Sequence, residues 1–148
     1  MKKMRGVVMV EFAIVGAVLL TVIFGCLEFG RATYAFAALN EGTRRAARLA
    51  AVCPVKDPVI KPAVNFMGVY GFDISNVTLS YLDVNGAPLG GTPAASTVYY
   101  VQVNVAGSIP LAIPFLSETL TPSFTVTLPA ESLGVTIAAD GSGVVTAC

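Results

Sequence analysis

Glu11 is the only carboxylate ahead of Glu28, and it lies in an otherwise apolar run, five residues after Gly6. Gly6 closes a short stretch carrying Lys2, Lys3 and Arg5. An acidic side chain at the centre of a membrane helix opposes insertion by about 2.5 to 3.5 kcal/mol, whereas each Leu, Ile, Phe or Val contributes roughly −0.3 to −0.6. About a dozen such residues between positions 7 and 24 outweigh Glu11, which lies near one end and costs less than the mid-bilayer figure. An ionisable group in such a helix ordinarily has a partner and a function. Cleavage after Gly6 would free an α-ammonium on Val7. Glu11 of one molecule could then neutralise that ammonium on a neighbour as helices stack side by side. Removing either member would leave the other charge buried and unpaired, at about 3 to 5 kcal/mol.

Other chemistry is scarcer. With no histidine in the chain, Ser/His and Cys/His pairs, His-ligated zinc and the usual general base near neutral pH are absent. No metal, cofactor or catalytic residue is expected, and a membrane-tethered hydrolase would need clustered Asp, Glu or Ser groups that the sequence does not display. Asp140-Gly141-Ser142-Gly143 offers one carboxylate, too few for calcium. Of three cysteines, Cys26 lies in the apolar run, while Cys53 and Cys148 lie outside it and form a candidate disulfide. The loop it closes would add on the order of 4 to 5 kcal/mol in the chain-entropy model, given Cα atoms within about 7 Å. Two competing processing signals fit less well. Phe24 spoils a lipoprotein site at Cys26, and Ala35-Phe36-Ala37 lies beyond Glu28 and Arg31. Asn76-Val77-Thr78 has sequon form and is read as strand-edge polarity.

These groups need elements to hold them. The chain has 148 residues, 55% hydrophobic and 12% charged, enough for one small domain plus an anchor. Formal charge is zero, but without Lys2, Lys3 and Arg5 the remainder is acidic, with no basic footprint for nucleic acid. Residues 7–53 contain no proline, room for a helix of roughly 47 residues and about 70 Å. Residues 7–29 are apolar all round. Residues 30–52 are alanine-rich with interleaved charges, an amphipathic continuation into water. Glu28 is expected to meet Arg31 at i, i+3, and Glu41 to meet Arg45 at i, i+4, leaving Arg44 and Arg48 on a solvated face.

Pro54 stops the helix. The pattern then predicts a short helix within 58–67 and a strand over 77–82. A turn at 83–86 leads to a strand over 98–105 with Tyr99, Val101, Val103 and Val105 on one face. A short helical turn follows within 109–118, then a strand over 124–128 and a hairpin of 135–137 with 144–146. The expected fold class is α+β: a long N-terminal helix whose water-side half covers one face of a small antiparallel sheet, with residues 53–148 forming the exported domain.

Arg5-Gly6-Val7-Val8-Met9-Val10-Glu11-Phe12, followed by Gly25 to Arg31 and the alanine-arginine run through Ala47, resembles the TadE-like pseudopilins. These are minor pilins of the tight-adherence, or Flp-type, type IVb pilus. The resemblance covers roughly the first third of the chain. It implies that residues 1–6 are a leader cut after Gly6 by a prepilin peptidase, that Val7 becomes the new N-terminus, and that Glu11 with Phe12 takes part in assembly. Family members often carry tyrosine at the position of Phe12. The implied partners are other pilin subunits, the prepilin peptidase, the inner-membrane assembly platform and the lipid bilayer. The implied setting is the bacterial inner membrane with a cytoplasmic N-terminus and exported C-terminal domain, then an extracellular pilus serving adherence and biofilm formation. The alternative is an uncleaved single-pass membrane protein whose exported domain binds a ligand or partner.

Overall fold

The structure, a computed structural model, describes residues 4–111, 119–138 and 142–148. One helix, α1 (Met4–Val52), takes up a third of the chain. Among the described residues none before Ala35 is buried. From there Ala35, Ala38, Leu39, Gly42, Thr43, Ala46, Ala47, Ala50 and Ala51 are buried at alternating steps of three and one, the stripe of a helix lying on a core. Nearly all are small, so the helix axis comes close to what it covers. Thr43, buried in this stripe, donates its hydroxyl to the Leu39 carbonyl at 2.6 Å.

That core is the inner face of a four-stranded antiparallel sheet in the order β2-β1-β3-β6. Its strands are β1 (Val77–Leu82), β2 (Pro88–Leu89), β3 (Tyr100–Ala106) and β6 (Ser123–Pro129). Two short pairs complete the domain: β4 (Ile109–Pro110) with β5 (Thr119–Leu120), and β7 (Val135–Ile137) with β8 (Gly143–Val145). Side-chain alternation fixes the register. Val101, Val103 and Val105 face α1 and are wholly buried. Gln102 and Asn104 face out and donate to Thr127 and Thr125 across the β3–β6 ladder. Phe36 of α1 meets Phe124 of β6 edge to face at 6.0 Å.

The architecture is the expected one, with local corrections. Segment 58–67 makes turns and a 3-10 turn, Pro62–Asn65, because Pro58 and Pro62 remove donors that an α-helix needs. Ile109 and Pro110 pair as a strand with Leu120 and Thr119 instead of forming a helical turn; residues 112–118 of that expectation lie outside the described residues. Tyr99 is half exposed while Val98 is buried. Ala130 bonds the Tyr99 carbonyl and Glu131 bonds Ala51 in the last turn of α1, so Tyr99 sits where the covering helix ends.

The end of α1 is capped from afar. Its last carbonyls have no partner within the helix. Those of Ala51 and Val52 accept from the backbone N–H groups of Glu131, Leu133 and Gly134, and the Ser132 hydroxyl adds a bond to Val52. The Cys53–Cys148 disulfide lies next to this cap, its Cα atoms 5.6 Å apart.

Two positions yield testable consequences. A Cβ on Gly42 would lie 1.8 Å from the backbone oxygen of Val64. Helix propensity alone makes Gly42→Ala stabilising by about 1 kcal/mol, but a main-chain atom cannot step aside as a side chain tip would. We expect a net loss of about 1 to 3 kcal/mol, read as a lower urea midpoint for the detergent-solubilised chain. Lys56 has φ +63°, unusual for a side-chain-bearing residue, and its N–H donates to the buried Tyr81 hydroxyl at 2.7 Å. Burial raises the Tyr81 pKa above 10.0, the Lys56 bond pulls it back and Asp57 raises it further. The folded state therefore holds this proton more tightly than the unfolded one. The resulting stability is present below the ordinary tyrosine pKa and is lost as pH climbs from about 10 through the raised value. Tyr81→Phe is expected to flatten that alkaline fall and to cost about 1 to 3 kcal/mol at neutral pH through the unsatisfied Lys56 donor. Denaturant midpoints across pH would check both.

Candidate functional site

Residues 6–27 extend beyond the domain they carry. Their most apolar 18-residue window has a mean hydropathy of 2.7 and is 0% buried, within a helix long and apolar enough to cross a membrane. Val7, Val10, Phe12 and Ile14 are all exposed. Gly6, Val7, Val10, Glu11 and Ile14 line one shallow depression on this bare helix. The structure thus brings Gly6, Val7, Glu11 and Phe12 into two adjacent turns. The Thr21 hydroxyl donates to the Ala17 carbonyl at 2.8 Å, so that side chain needs no water in the apolar half.

At the top of the apolar run stands the expected pair of Glu28 and Arg31, at 2.6 Å. Arg31 also donates to the Pro110 carbonyl at 2.6 Å, and the Tyr34 hydroxyl donates to the Met67 carbonyl at 3.1 Å. These long-range ties anchor the domain to the helix where the bare half ends, and nothing in local sequence announces them. Higher up, the expected Glu41–Arg45 pair does not form. The Arg45 guanidinium lies over the Phe66 ring at 4.7 Å, a cation–π contact that a partly covered ring rewards more than an exposed ion pair. Arg44 and Arg48 remain exposed. Among the described residues no cluster of His, Cys, Asp or Glu suits a metal ion, and Cys26 is a free, exposed thiol.

A bilayer-length apolar helix, bare over its first half and laid along an antiparallel sheet over its second, gives an α+β architecture with one candidate membrane span. Residues 6–48 match the family model for TadE-like protein. The match ends within α1, before Cys53, and coincides with the segment whose residues carried the resemblance. The likeness over that segment points to a Tad pilus-associated, pilin-like component. No curated protein and no solved structure matches the chain.

Proposed function

We propose that this chain is a minor pilin of a type IVb tight-adherence pilus, processed after Gly6 and built into a helical stack through residues 7–29. The observation that carries the reading is the bare apolar half of α1 with Glu11 set among exposed apolar side chains. Such a surface is stable in lipid, and in a polymer core only if the carboxylate finds a cation. The α-ammonium released on Val7 has that charge and lies one turn from Glu11 along the chain, so a small axial offset between neighbouring helices aligns the two. Prepilin peptidase, the inner-membrane platform and other pilin subunits are the partners this route requires. The exported domain then serves pilus biogenesis, and through it adherence and biofilm formation.

Mass spectrometry of the protein from native cells tests the reading. A chain beginning at Val7 is the expected result. An intact Met1 overturns processing after Gly6 and leaves an uncleaved single-pass anchor in its place, and a lipidated Cys26 overturns it in favour of a lipoprotein.

A further inference from the structure

The geometry points to a lipid contact made by the exported domain itself: its membrane-proximal rim, with Tyr70 foremost, rests in the headgroup layer of the bilayer that α1 spans. This deepens the reading of residues 7–29 as a membrane span and rests on it. The apolar run ends at Phe29, which is exposed. Arg31, about 3 Å further along the helix axis, holds the Pro110 carbonyl at 2.6 Å. The Pro110 ring in turn lies so close to Gly71 that a Cβ there would be 2.6 Å from it. One turn above Arg31, Tyr34 holds the Met67 carbonyl. Residues 67–71 are therefore tied to the part of α1 between Arg31 and Tyr34, about 3 to 8 Å beyond Phe29. The polar layer on each side of a bilayer is roughly 5 to 8 Å thick.

The rim has the side chains for that layer. Tyr70 is 82% exposed, and Met67 and Tyr34 are also exposed. Tyrosine is enriched at membrane–water interfaces, where its ring meets the acyl boundary and its hydroxyl stays wet. The nearest charges on α1, Glu28 and Arg31, neutralise each other. Lipid is thus a continuation of the surface the bare helix already occupies, and the tethers to Arg31 and Tyr34 bring Tyr70 down to it.

The chain has no tryptophan, so single substitutions report position. The full chain carrying Y70W is reconstituted in phosphatidylcholine vesicles with quencher-labelled lipids of graded depth, beside I23W in the span and V84W at the far end. Y70W is expected to show blue-shifted emission relative to V84W and to lose most intensity to shallow quenchers, with I23W losing most to deep ones. Y70W behaving like V84W while I23W is quenched overturns the contact and leaves the span standing. An unquenched I23W overturns span and contact together. A Y70W shielded from aqueous acrylamide yet untouched by lipid quenchers assigns the rim to a neighbouring copy and overturns the lipid contact. Tyr70 is exposed enough that the substitution disturbs no packing.

Discussion

Glu11→Ala is expected to leave membrane insertion intact and to abolish assembly into pili. Removing the carboxylate eases insertion, because an acidic residue is the least favourable group in the apolar half of α1; the relief is below the roughly 2.5 to 3.5 kcal/mol assigned to a mid-bilayer position. Assembly responds in the opposite sense. On the proposed reading, a neighbour's Val7 ammonium would enter an apolar stack with no counter-charge, at about 3 to 5 kcal/mol per interface. That penalty recurs at each subunit added, and a factor of ten in the equilibrium constant accompanies each 1.4 kcal/mol or so. Membrane fractionation should therefore find the variant at wild-type levels, with sheared surface fractions empty of it. Glu11→Gln separates charge from shape: it keeps the side chain's size and should fail as alanine does. Normal piliation in either variant refutes the charge-pairing role without touching the membrane span.

Cys148→Ser is expected to cost about 4 to 5 kcal/mol, since the bond it removes closes a loop spanning 95 residues and long loops restrain the unfolded chain most. Small domains have about 5 to 15 kcal/mol in total, so this loss is a large share. Two native features soften its structural effect. The backbone cap supplied by residues 131–134 to the last carbonyls of α1 survives, and the β7–β8 pair keeps the bond from Thr146 N–H to the Gly134 carbonyl. The domain should thus remain folded but melt earlier, with residues 142–148 exchanging amide protons sooner than β3 and β6. Reduction of the wild-type protein should reproduce the shift. An unchanged urea midpoint in both cases would contradict the assignment of stability to this bond.

What could be read in residues alone was whatever depends on neighbours in sequence. The unbroken helix follows from the absence of proline between Val7 and Cys53. Its apolar half follows from composition, and the strands over 77–82 and 124–128 from alternation. The Glu28–Arg31 pair follows from one helical turn, and the resemblance seen in residues 5–47 overlaps the segment 6–48 that the family model matches. Pairing of Cys53 with Cys148 could be put forward because only two cysteines lie outside the apolar run. Tertiary structure alone decided the rest. Arg45 turned from Glu41 to Phe66 because a ring from a distant loop arrived beside it. Gly42 became costly to replace through the oxygen of Val64. Ile109 and Pro110 took strand form because Thr119 and Leu120 lay opposite. The end of α1 found its donors some eighty residues downstream. Periodicity reports which face of an element is apolar, a property of local spacing. Which partner arrives at that face depends on the closure of long loops and on packing among many side chains, and is settled only when the chain has folded.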